Sequence, residues 1–124
     1  MYGTLYTQAM AKHVHGKRKA PKPIDGEALR RAAALFRAVG DEARLRLLHE
    51  LGSGEQCVSE LAEHAGTKLS TLSQQLRVLY AERIVERRRE GKHVYYRLAD
   101  AHVEDLVRAA LAHAHHHDHR ATAR

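Results

Sequence analysis

One cysteine among 124 residues, Cys57, leaves no pair from which an intrachain disulfide framework could be built. That scarcity suits a reducing cytosol. No apolar run is long enough to span a bilayer, and the first residues lack the apolar core of a secretory signal. A soluble, cytoplasmic protein with no membrane contact is therefore expected. No nucleophile stands beside a general base, which argues against an enzyme. Proline occurs only at Pro21 and Pro23, both near the N-terminus.

Positive charge is plentiful: the formal net charge is +6. An anionic partner is favoured, nucleic acid first, although a basic surface also serves solubility. The length suits one domain with a real core, small enough to want a partner chain. Residues 1–24 read as a flexible basic arm, with His13, His15, Lys17, Arg18, Lys19 and Lys22 and little to bury. Residues 25–119 read as the folded domain and 120–124 as a tail.

From Asp25 a helix is predicted, capped by that carboxylate and stopped by Gly40. Its apolar stripe is Ala28, Leu29, Ala32, Leu35, Phe36 and Val39. Asp41 caps a second helix bearing Leu45, Leu47, Leu48 and Leu51, ended by Gly52-Ser53-Gly54. A short helix comes next on Val58, Leu61, Ala62 and Ala65, and Gly66 turns the chain into residues 68–79. There the wheel divides: Leu69, Leu72, Leu76 and Leu79 point one way, while Ser70, Ser73, Gln74 and Arg77 point the other. A short helix, a glycine turn and a second helix with a small polar face form a helix-turn-helix. The second helix would put Lys68, Ser70, Thr71, Ser73, Gln74 and Arg77 on DNA, where serine and glutamine can read base edges. Any surface helix has a polar face, so this pattern alone decides little.

The adjoining segment decides more. Residues 84–98 alternate as two strands around a turn at Gly91, with Val85, Val94, Tyr96 and Leu98 inward. Arg87, Arg88, Arg89, Lys92 and His93 load the hairpin with cations. Beside an unrelated helix such a hairpin would be a solvated turn. Directly after a helix-turn-helix it is a wing that grips backbone phosphates. The predicted fold is mainly α with a small β-hairpin, a winged helix-turn-helix.

Asp100 sits where an N-cap belongs, ahead of a helix on Val103, Leu106, Val107, Ala110 and Leu111. At about 100° per residue, His102, His113 and His116 fall within roughly 60° of one another on one face. Three imidazoles and a carboxylate are a donor set that zinc takes. Along one helix, however, His102 and His113 stand about 16 Å apart, too far for one ion. Two copies of the helix lying antiparallel across a two-fold axis would bring Asp100 and His102 of one to His113 and His116 of the other. The competing reading is a solvated histidine-rich helix end. A four-ligand site would leave no open position for catalysis.

The chain resembles the ArsR/SmtB family of metal-responsive repressors, in particular the zinc sensors with a metal site on the last helix. The resemblance rests on four stretches and one spacing. The stretches are Gly40-Asp41-Glu42-Ala43-Arg44-Leu45-Arg46-Leu47-Leu48, then 57–62, 70–79 and 91–98. The spacing is Asp100-x-His102 with His113 and His116. It implies a homodimer joined through its first and last helices, bound to double-stranded operator DNA without metal and released by Zn(II). It also implies that His113 passes a ring N–H to a backbone carbonyl near Arg83. Some relatives use a second metal site, which here would draw on Cys57, Glu60, His13 and His15; an inert buried thiol is the alternative. A lone cysteine argues against sensing trivalent arsenic. Beyond the four expected ligands, His115, His117, Asp118 and His119 could extend coordination and shift preference to Ni(II) or Co(II). A winged-helix regulator with a non-metal signal is the remaining alternative.

If Arg87, Arg88, Arg89 and Lys92 meet phosphates, the logarithm of DNA affinity falls linearly with that of salt, by about 0.9 per phosphate engaged. Fluorescence anisotropy of a labelled duplex across a salt series measures the slope, and a flat line would remove the wing from the interface.

Overall fold

The computed structural model describes residues 19–122, with side chains through 116. Helix α1 (Gly26–Val39) opens where Asp25, in extended backbone, accepts a hydrogen bond from the Ala28 N–H at 3.2 Å. That satisfies one of the four donors left over at any helix start. Asp41 opens α2 (Glu42–Leu51) in the same way, accepting from the Arg44 N–H at 3.1 Å. Beyond the glycine turn come β1 (Gln56–Cys57) and α3 (Val58–Ala65), closed by Gly66 at a left-handed φ of 62°. The chain continues through α4 (Leu69–Ala81), β2 (Val85–Glu90), β3 (His93–Leu98) and α5 (Ala101–Thr122). No described helix is long and apolar enough to cross a membrane.

The helix-turn-helix and wing stand as the periodicity predicts, with one addition. The sheet has three strands, in the order β1-β3-β2, all antiparallel. Two residues carry no periodicity of their own, so β1 is invisible in the sequence. It exists because β3 offers an edge, pairing Gln56 with Tyr96 and Cys57 with Tyr95.

Leu72, Leu76 and Leu79 of α4 are almost wholly buried among Leu47, Leu48, Leu51, Leu61, Ile84 and Val85. Val103 and Val107 close this core from α5. Leu69 is a correction to the predicted stripe: it is 55% exposed, facing the groove beside the wing. It lies in the first turn, about 60° of wheel from Leu72, where α4 has already drawn away from the core. The α1 stripe divides too. Val39 is buried and Leu35 half-buried, but Leu29 and Phe36 are 57% and 61% exposed.

Between α4 and β2 the chain reverses through Arg83, whose φ of 59° is left-handed. Such a conformation costs an L-residue roughly 1–2 kcal/mol. Here the Arg83 and Ile84 N–H groups donate to Tyr80 and Leu79 carbonyls, each at 3.0 Å, and Ile84 and Val85 enter the core directly after the turn.

These positions predict opposite outcomes for two leucines of one helix. Leu76→Ala should destabilise the fold by about 3 kcal/mol, the usual cost of a cavity in a packed core. Leu69→Ala should stay within about 0.5 kcal/mol. Urea unfolding followed by circular dichroism separates them, and equal losses would contradict the burial described.

Candidate nucleic-acid and metal interfaces

With its leucines held inside, α4 turns Ser70, Gln74 and Arg77 to solvent, and Lys68 stands exposed just ahead of it. Thr71 is exposed on the flank toward α2 and α3. Ser73 is half-buried and lines a groove of about 600 Å3 between α4 and the wing. Gln75, which the wheel assigns to neither face, is half-buried and hydrogen-bonded to Arg44. The polar face is therefore narrower than six residues: three of them share one outward direction.

The wing's cations divide by strand alternation, since successive side chains take opposite faces of a sheet. Arg87 and Arg89 share a face, opposite Tyr96 and Val94. Arg87 stacks over the Tyr80 ring of α4 at 4.1 Å, a cation–π contact that ties wing to helix. Arg88 is on the other face. Its guanidinium donates to both carboxylate oxygens of Glu55 at 2.8 to 3.0 Å and to Glu90 at 2.6 Å, and lies over the Tyr95 ring at 4.5 Å. Arg97 donates to Glu86 across the same strand pair at 2.7 Å. Arg88 holds the Glu55 carboxyl below the usual carboxylate range, and Glu55 first, then Glu90, raises the Arg88 guanidinium. Arg89 and Lys92 are exposed at the hairpin tip, Lys92 in the two-residue turn after Gly91, where φ is 63°. Sequence reasoning misses Glu55, Tyr80 and Tyr95 as contributors, because the contacts that recruit them join different elements, 33 residues apart for Glu55 and Arg88.

His93 is exposed, yet its Nδ1 lies 3.8 Å from the buried Cys57 sulfur. Ser59, with its hydroxyl 3.3 Å from that sulfur, is the main cause holding the thiol below its ordinary value, and His93 adds to it. Glu60 accepts from the Cys57 backbone N–H at 3.2 Å, closing the first turn of α3. The hydrogen-bond contacts of the Cys57 sulfur are thus with Ser59 and His93, and that of the Glu60 carboxylate is with the Cys57 backbone. His13 and His15 lie outside the described residues.

The α5 residues sit at two separated levels. At the start, Asp100 accepts from the Val103 N–H at 3.1 Å, the cap the sequence predicts. His102 Nδ1 stands 3.7 Å from the same carboxylate oxygen, and the His102 side chain is 96% exposed. His113, His115 and His116 are exposed well along the helix, past the last core contact at Val107. The side chains of His117, Asp118 and His119 lie outside the described ones. Among the described residues, no three histidine, cysteine, aspartate or glutamate side chains gather within one chain as a metal site. The donors are of the right chemistry for zinc, but the described residues of one chain do not assemble them.

Residues 41–87 match the family model described as a bacterial regulatory protein of the arsR family. The chain is 40% identical over 93 residues to a transcriptional repressor SmtB homolog of Synechocystis sp., covering 75% of this chain and 70% of that one. It is 39% identical over 82 residues to a cadmium resistance transcriptional regulatory protein, a CadC homolog, of Staphylococcus aureus, covering 65% and 68%. In three dimensions it is similar to a homodimeric winged helix-turn-helix DNA-binding domain from Mycobacterium bovis, with a TM-score of 0.71 at 31% identity, covering 81% and 93%.

The Arg88–Glu55 pair gives the wing a pH signature. A carboxyl lowered in the fold contributes stability that is fully present above its unfolded value near 4.5 and is lost as pH falls through its folded value. Wild type should melt above Glu55→Gln at pH 7, and the gap should close on acidification below the ordinary carboxyl range. Scanning calorimetry of both proteins from pH 7 to 3 measures this, and a gap constant across the range would refute it.

Proposed function

Because the chain belongs to the ArsR/SmtB family of DNA-binding, metal-sensing transcriptional repressors, we propose that it is a homodimer that holds operator DNA without metal and releases it on binding Zn(II). One observation carries this reading. Asp100 and His102 stand exposed at the start of α5, His113 and His116 well along it, and among the described residues no metal-site cluster gathers them within one chain. Shared between two copies, they supply three imidazoles and a carboxylate, a full tetrahedral set. When bound, zinc would join the α5 helices of the two chains. The second copy also answers the exposed apolar surface: Ile24, Leu29 and Phe36 near and along α1, and Leu111 on α5, are each more than a third exposed.

The reading head grows out of the same geometry. Ser70, Gln74 and Arg77, with Lys68 at the helix mouth, meet base edges and the flanking backbone in the major groove. Arg89 and Lys92 take phosphates from the wing, and Arg87 approaches them from its seat on Tyr80. Arg88 is held by Glu55 and Glu90 and contributes chiefly to the wing's shape. Two heads in one dimer read DNA only while their separation matches successive grooves. A dimer geometry favoured by zinc and mismatched to DNA would make the two ligands oppose each other by the same factor.

Zinc titrated into the protein bound to a duplex that wild type selects from a random-sequence pool should weaken binding roughly ten- to hundredfold. His102→Ala and His113→Ala should each retain DNA binding and lose the response. Unchanged affinity of wild type with saturating zinc would reject metal-driven release. Response in both variants would move the site elsewhere.

A further inference from the structure

We infer that Arg44 is a positioning residue for DNA reading, a rigid link that fixes the rotation of α4 through Gln75 and ties it to the end of α1. This rests on the DNA-binding reading above and adds to it a residue outside the reading face. Arg44 is half-buried, and one planar guanidinium makes two bonds in different directions. Its Nε donates to the Ala38 carbonyl at 2.6 Å, and its Nη1 donates to Gln75 Oε1 at 3.0 Å, a partner 31 residues away.

Each end of the link is in a telling place. Ala38 lies in the last turn of α1, where carbonyls lack intrahelical partners, so Arg44 satisfies an acceptor that the helix leaves over. Phe36, exposed on the apolar side of α1, is two residues before it. At the other end, Gln75 directly follows Gln74, which is exposed on the reading face. Arg44 itself is pinned at its root, because its backbone N–H is the donor that Asp41 caps. A few bonds therefore run from the helix proposed to meet a second copy to the residue beside the one proposed to meet a base.

The physical reason for a polar link is directionality. Leu72, Leu76 and Leu79 hold α4 against the core, but apolar contact is non-directional and permits small rotations about the helix axis. A hydrogen bond weakens steeply as its angle opens, so an amide held by a fixed guanidinium resists the rotation that would swing Ser70 and Gln74 off their targets. A lysine has no planar fork and cannot reproduce both bearings.

The test is a double-mutant cycle on the full chain with Arg44→Lys, Gln75→Leu and both together. Each is measured against two labelled duplexes: one selected by wild type from a random-sequence pool, and a scrambled duplex of equal length. The link predicts that each single variant loses roughly tenfold in the selected-to-scrambled affinity ratio, and that the double variant loses no more than the worse single. Thermal melting of each variant accompanies the measurement, and loss of selectivity in a variant that melts cooperatively near wild type supports positioning over folding. Three outcomes would overturn the inference: a ratio within twofold of wild type in either single variant, losses that multiply in the double, or equal weakening on both duplexes. If wild type selects no duplex at all, the DNA-binding reading fails before the link is reached.

Discussion

Burial of three leucines on one side of α4 is the constraint on which the rest depends. Leu72, Leu76 and Leu79 have nearly no accessible surface, and each contributes about 1.5–3 kcal/mol by leaving water. With those three facing the core, every other side chain on that helix is assigned a side, to within the small rotations that apolar contact permits. Ser70, Gln74 and Arg77 face out because they lie on the far side of the wheel from the core. The outward polar face is in this sense a by-product of packing, and Arg44 meets α4 beside it, at Gln75.

The same core determines what α5 can do. It holds the helix by Val103 and Val107 and then ends, so residues 108–116 run on with their side chains exposed. A helix anchored at one end and extended at the other carries its two sets of potential ligands at different heights. That separation is the premise of the shared site proposed above. Leu29 and Phe36 on α1 are exposed as well, apolar surface of the kind that contact with another molecule covers.

The wing is built from charges that largely neutralise one another. Arg88 with Glu55 and Glu90, and Arg97 with Glu86, occupy one face of the hairpin, while Arg87 and Arg89 occupy the other. Exposed pairs of this kind contribute little stability individually. Their effect here is geometric. They tie the loop before β1 to β2, and β2 to β3, on one face, while Arg89 and Lys92 stay exposed on the opposite face and at the tip.

Much of this architecture is legible in the chain itself. Asp25, Asp41 and Asp100 announce three helix starts, and each carboxylate accepts the bond that its position calls for. The leucine spacing on α4 and the alternation around Gly91 identify a winged helix-turn-helix, because periodicity and capping are local and survive in one dimension. Leu69 is misplaced by the wheel for the converse reason: a wheel assumes the core reaches the helix's first turn, and this core stops short. Only tertiary structure could decide which cations of the wing are occupied, that Cys57 lies beside His93, and that Arg44 reaches Gln75. Arg88 with Glu55, Cys57 with His93 and Arg44 with Gln75 each join residues more than thirty positions apart, and no pattern within a helix or strand encodes them. Composition and periodicity settle what each segment becomes; the meeting of segments settles which side chains are left to act.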